Sequence, residues 1–185
     1  MLTVGLVVEG VYDEAAITEL VLKSVPSEAG AICRRCGNAI QLMRKFPGFL
    51  QEFRFAKDGS PVDKALVIRD ADHKNPRELI TGMDGRIGNR NFPFPVNLLV
   101  IVEELEAWLL ADEEAISLVT RIRQQPVRDP ERLYDPKQTL RRLLSQAGVE
   151  YTSEIARQLA AAARPNILQT RCPSFGEFQE AVGKS

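Results

Sequence analysis

Carboxylates gather at three points along this chain, and their spacing suits metal-assisted chemistry. Glu9 closes the apolar run at residues 2–8 and is followed by Asp13 and Glu14. Asp70 and Asp72 close a second run, residues 65–68, reached through Arg69. Glu103, Glu104 and Glu106 follow a third run, residues 96–102, with Asp112 farther on. Along a strand continuation Asp70 and Asp72 share a side, because side chains repeat every two residues. Two carboxylates on one side and a third from a neighbouring strand make an oxygen cage of the kind that hard Mg²⁺ or Mn²⁺ prefers. Without a cation, such acids repel and raise one another's pKa. Other roles stay open: Asp13 as a helix cap, and Glu103, Glu104 and Glu106 as a solvated helix start that favours the dipole.

The elements that must position these acids read as alternating strands and helices. Residues 2–8 form a Val- and Leu-rich run that fits a strand buried on both faces. Ile17, Leu20, Val21 and Ser24 recur at helical spacing, with Pro26 as the stop. Residues 31–35 read as a short second strand, and residues 38–55 as a helix broken or kinked at Pro47-Gly48. A third strand at 65–68, a helix at 76–87, a fourth strand at 96–102 and a helix start at 103–112 complete the pattern. The fold class expected is α/β: an open, mainly parallel sheet flanked by helices. In such sheets ligands sit beyond the carboxyl ends of the strands, where the acids lie. Residues 113–185 contain no strand-like run. Segments 113–123, 135–147 and 152–163 are helical by pattern, punctuated by prolines. The division expected is a catalytic core over 1–112 and a helical extension, packed on it, over 113–185.

Composition narrows the classes. The chain has 185 residues, 24 Lys+Arg against 25 Asp+Glu, and 44% hydrophobic residues. That length buries enough surface to fold without disulfides, and the hydrophobic content excludes a disordered chain. A near-zero net charge excludes a bulk polycation but leaves room for a local basic patch. No apolar run reaches the roughly 18 residues of a membrane span. No signal peptide is read at the N-terminus, so a cytoplasmic protein is expected. A phosphate loop of the P-loop type and a dinucleotide-binding Gly-x-Gly-x-x-Gly are both missing from the sequence.

The remaining chemistry-bearing residues are few. Cys33 and Cys36 flank Arg34 and Arg35, with Cys172 far off. Reduced, partly buried cysteines are the preferred reading. The alternatives are a zinc site, or a redox pair whose thiol pKa the arginines lower. His73, the single histidine, follows Asp72 and reads as a loop residue bonded to a neighbouring carboxylate, with general base as the alternative. Arg69, Lys74 and Lys137 are the cations nearest the acids in sequence; Lys137 follows Asp135-Pro136 at a helix start that favours anions. Arg34, Arg35, Arg44, Lys45, Arg54 and Lys57 interleave with Phe46, Phe49, Phe53 and Phe55. Such a stripe can track a nucleic-acid backbone, or be the wet face of an amphipathic helix with its core phenylalanines. Trp108 reads as core or interface.

Val8-Glu9-Gly10 after the first strand, with Asp70-Ala71-Asp72 after a later one, resembles the Toprim domain of topoisomerases, bacterial primases and several nucleases. The Val-Glu-Gly-x-x-Asp-Glu start is most similar to the nuclease-type members, among them the overcoming-lysogenization-defect nucleases. Residues 103–112, with Asp135-Pro136-Lys137 and Cys172-Pro173-Ser174-Phe175, resemble a Toprim-like bacterial family whose members often lie beside ATPase genes in defence-type operons. The resemblance implies a Toprim/Rossmann-like core over 1–112 and Mg²⁺ or Mn²⁺ as cofactor. It implies Glu9 as metal ligand or general acid/base, Asp70 and Asp72 as ligands, Asp13 or Glu14 as a second acidic position, and a later acidic ligand for which Glu106 is the choice, with Glu103 and Glu104 as runners-up. Glu9, Asp70, Asp72 and Lys137 are thus the catalytic candidates. Glu9, Asp13, Glu14, Asp70, Asp72 and Glu106 are the metal-ligating ones. The activity implied is a nuclease acting on DNA or RNA with an ATPase partner; a homodimer is admitted, and a membrane is not. The alternative is a non-catalytic module that binds or regulates the ATPase.

Overall fold

The computed structural model describes residues 1–25 and 28–183. Four parallel strands form one sheet in the order β2-β1-β3-β4: β1 (Leu2–Val8), β2 (Ala29–Arg35), β3 (Lys64–Asp70) and β4 (Val96–Ile101). Successive strands are joined by a helix: α1 (Val11–Ser24), α2 (Ala39–Glu52) and α3 (Pro76–Ile87). The α/β class with a parallel open sheet is therefore what the chain adopts. The period-2 alternation of β1 and β3 divides the core. Val4, Leu6, Val8, Leu66 and Ile68 pack against α1 on one face. Val7, Ala65 and Val67 pack against Leu42, Phe46 and Leu50 of α2 and Met83 of α3 on the other. Gly5 permits one close approach: a Cβ there would lie 2.7 Å from the Phe53 ring.

The chain after β4 is helical: α4 (Leu105–Leu109), α5 (Glu113–Thr120), α6 (Pro136–Gln146), α7 (Ser153–Ala162), α8 (Pro165–Arg171) and α9 (Pro173–Gly183). Pro136, Pro165 and Pro173 each stand at the first helical position, where a missing N–H costs nothing. These helices share the α1 face of the sheet, and their apolar side chains join those of β1 and β3 in a single cluster. Trp108 is its largest fully buried residue, packed on Phe175 and Phe178, with its indole N–H donating to the Ser174 hydroxyl at 2.8 Å.

Several local expectations are corrected. α2 runs unbroken through Pro47. The helix expected from Glu103 begins only at Leu105 and stops at Leu109; Asp112 then caps α5 by accepting the Glu114 N–H. The N-cap of α1 is Gly10, and Asp13 reaches back from the third position to accept its N–H at 2.7 Å. Pro26, expected to end α1, lies outside the described residues. Among the described residues no helix is long and apolar enough to cross a membrane.

Candidate functional site

The strand order creates the site. β1 pairs with β3 only as far as Val7 and Val67. Beyond that point β1 stays with β2, through Cys36 N–H to Val8 O and Gly37 N–H to Glu9 O. β3 meanwhile stays with β4, through Ala71 N–H to Ile101 O and Asp72 N–H to Glu103 O. The two central strands part at the position where the order of connection reverses, and this is where a crevice forms in an open parallel sheet.

That crevice is a cavity of about 470 Å³ lined by Glu9, Asp13, Asp70, Asp72, Glu104 and Glu106, with Arg35 and Lys137 as its two cations. Tyr12, Gly37 and Asn38 also line it. Each inner acid is oriented by a protein donor on one oxygen. Glu9 Oε1 accepts the Asp70 N–H at 3.2 Å, and Asp70 Oδ1 accepts the Leu105 N–H at 3.0 Å. Glu104 Oε2 accepts the Lys137 N–H at 2.9 Å. Glu106 is 2% exposed, and its Oε1 takes the Tyr151 hydroxyl at 3.0 Å and the Lys137 ammonium at 3.4 Å. The Lys137 ammonium lies 5.0 Å from the centre of the Tyr12 ring, which stacks on Tyr151.

Electrostatics follow from this crowding. Burial pushes Glu9 up to about 7, and repulsion from Asp13 and Asp72 adds to it. Burial, then the charge of Glu106, raises Asp13 to about 6. Asp70 is driven well above the carboxylate range by burial and by Asp13, Glu106, Glu9 and Asp72 together. Burial pulls Lys137 down, but Glu106, Glu104 and Asp13 outweigh it and the ammonium is held more firmly than usual. Tyr151 is raised by burial and by Glu106, so its hydroxyl keeps its proton and donates.

The donor set fits a hard divalent cation. The potential side-chain ligands in the cleft are oxygens, six carboxylates with the Tyr12 phenol and the Asn38 amide, and among the described residues neither histidine nor thiol lines it. Among the described residues, no three His, Cys, Asp or Glu side chains converge tightly enough to form a ready-made cage. Glu9, Asp70 and Asp72 with Asp13 and Glu106 are the residues that could close on an ion, since each engages protein donors through one side only or faces the open cleft.

Of the acids expected at the site, Glu14 does not join it. One helical step from Asp13 turns it away from the cleft, and it pairs with Arg35 at 2.8 Å. Asp112 is fully buried elsewhere, clamped by the Arg164 backbone N–H and guanidinium at 2.7–2.9 Å. Glu103 turns to His73, with 2.6 Å between Nδ1 and Oε2, as expected for a loop histidine. Asp72, His73 and Glu103 all have positive φ, at 48°, 64° and 61°, so both loops at the cleft's rim hold non-glycine residues in the left-handed region. Arg69 and Lys74 do not line the cleft.

The redox reading of Cys33 and Cys36 is corrected. Both are free, and burial raises them to about 12 and about 11, against the lowering expected from the arginines. The phenylalanine stripe divides: Phe46 and Phe53 are core, and Phe55 is exposed. Arg34, Arg35 and Lys57 pair with Glu52, Glu14 and Asp63. Tyr12 and Tyr151 were not anticipated. Tyr12 lies inside the Glu-Gly-x-x-Asp segment, which offered a signal; Tyr151 stands in no motif.

No curated protein and no solved structure matches the chain. A family model does match, over residues 8–183, a span that takes in every carboxylate of the cleft and Lys137. The chain therefore belongs to the family described as domain of unknown function DUF4276.

Proposed function

We propose that this protein is a Toprim-like nuclease that uses Mg²⁺ or Mn²⁺ to hydrolyse phosphodiester bonds in DNA or RNA, acting in the cytoplasm of a bacterium within a defence or repair system that includes an ATPase. The supporting observation is the meeting of acids from three strand ends in one cleft, with Glu9 and Asp13 pushed to about 7 and about 6 by burial and mutual repulsion. Such a cleft favours whatever brings positive charge into it. A bound divalent cation would supply water activation and stabilisation of the leaving oxygen. The chain's own residues would do the rest. The Leu105 N–H fixes Asp70, and Asp72 stands at the rim on a left-handed turn. Glu9 Oε1 is held by the Asp70 N–H, and Oε2 can take up or return a proton near neutral pH. Lys137, kept charged by Glu106, meets negative charge developing on phosphate.

One observation favours a second reading, a non-catalytic module that binds or regulates the ATPase. Lys137 already puts a cation against Glu106 and neutralises part of the cluster without metal. The discriminating experiment incubates the purified protein with DNA and RNA substrates and Mn²⁺ or Mg²⁺, with and without the product of the adjacent gene. The double variant Asp70→Ala/Asp72→Ala runs alongside. Cleavage that the double variant loses is the expected result. Wild type that cuts nothing under any condition, with biological activity intact in the double variant, would establish the scaffold reading instead.

A further inference from the structure

The cleft has a neighbour of opposite charge. On the other face of β3, a groove of about 590 Å³ runs between α2 and α3, lined by Arg44, Arg69, Lys74 and Arg86 with Ile40 and Met43. Among the described residues no carboxylate lines it. Arg69 is only 4% exposed, yet among the described residues its guanidinium has no carboxylate in direct contact: Nε donates to the Asp70 carbonyl at 3.3 Å, and its charge reaches Glu9 only at longer range, where it lowers that acid's pKa. A nearly buried guanidinium normally has a carboxylate partner, because desolvating the charge costs several kcal/mol. Arg44, Lys74 and Arg86 likewise have no ion-pair partner among the described residues, unlike Arg34, Arg35 and Lys57 on the neighbouring surface.

We propose that this groove holds the phosphates of a nucleic-acid strand whose course continues over the β3–α3 loop into the acidic cleft. Three observations select this ligand. Arg69 and Asp70 are consecutive, so strand alternation sends one side chain into the groove and the other into the cleft at the same strand end. Lys74, which lines the groove, lies two residues beyond Asp72, which lines the cleft. On the cleft's rim Tyr134, 82% exposed, stacks on His73 with ring centroids 4.5 Å apart. An exposed aromatic face stacked on the residue that precedes Lys74 suits a base attached to the phosphates, which neither an acidic peptide nor a lipid headgroup carries.

The proposal rests on the nuclease reading for its geometry but is tested by binding alone. Fluorescence anisotropy with labelled single-stranded DNA and RNA, in EDTA so that no cleavage occurs, compares wild type with Arg44→Ala/Arg86→Ala. Both positions are exposed, and matched melting curves verify the fold. The expected result is binding at least tenfold weaker in the variant, with the slope of log K against log salt reduced by about 1.4 for two lost phosphate contacts on a single strand. Equal binding by the two proteins overturns the proposal. So does wild type that binds polyglutamate or anionic lipid vesicles as tightly as oligonucleotide. Binding lost in the variant while no metal ever supports cleavage sinks the nuclease reading and leaves the groove standing.

Discussion

The Glu9 carboxylate takes the place of a strand. Along β3, alternate N–H groups point toward β4 and toward β1, and the Asp70 N–H points toward β1 after β1 has turned away. Glu9 Oε1 accepts it at 3.2 Å, so a side chain supplies the ladder acceptor that the backbone has withdrawn. This bond holds the crevice open and ties its two walls together. It also explains why a half-buried acid sits there despite the cost of its charge.

Glu9→Gln should raise the melting temperature at pH 8 and change it little at pH 5. The folded pKa of about 7 lies above the ordinary 4.5, so the folded state binds the proton more tightly than the unfolded one. The stability this confers is complete below pH 4.5 and is lost as pH rises through 7; the neutral amide escapes that loss and still accepts the Asp70 N–H. A thermal scan at the two pH values checks it, and a variant that melts lower at pH 8 would contradict the assignment. Cleavage should fall with the same substitution.

Metal should stabilise the protein more in base than in acid. Glu9 at about 7 and Asp13 at about 6 must release protons for an ion to enter. Mn²⁺ should therefore shift the melting temperature clearly at pH 8 and little at pH 5.5. Calorimetry in buffers of different ionisation enthalpy should record proton release on binding. A shift of the same size at both pH values would argue for a surface site elsewhere.

Lys137→Ala should lower kcat by about 10²–10³-fold, the usual loss for one charge-stabilising donor, with KM changed less. Lys137→Arg should restore part of it, since the charge against Glu106 returns. An alanine variant with full kcat would reduce Lys137 to a neutralising partner of Glu106.

Trp108→Ala should destabilise the fold by about 3–5 kcal/mol through the cavity left between Phe175 and Phe178. Denaturant unfolding measures it. The loss belongs to the core, so any folded fraction should keep its metal response.

Asp112→Ala separates an acid of the scaffold from the acids of the cleft. It removes the N-cap of α5 and strips acceptors from the part-buried Arg164 and Glu114 N–H groups, a cost of about 0.5–2 kcal/mol for the lost cap alone. Stability should drop while the pH dependence of metal stabilisation stays as in wild type. Loss of that dependence would place Asp112 in the ion's environment after all.

Much of this architecture was legible in the chain alone. The bounds of β1 and α3 follow from periodicity and from Asn75-Pro76, whose cap and first-turn proline act locally. So does the placing of Glu9, Asp70 and Asp72 at strand ends. α8 and α9 were not legible, because each is a short helix begun by a proline that reads as punctuation until packing makes it a start, on α9 and α1 for α8 and on Trp108 and β4 for α9.

Local periodicity thus determined which segments are strands and which acids end them, since those depend on neighbours in the chain. Tertiary structure decided which acids face one another. The order β2-β1-β3-β4 opens the crevice between β1 and β3, and Arg35 draws Glu14 away from it. Arg164 removes Asp112, His73 engages Glu103, and Tyr151 with Lys137 holds Glu106 in the cleft. Each of these choices is a charge or hydrogen bond satisfied by a partner remote in sequence, and no spacing along the chain encodes such a partner.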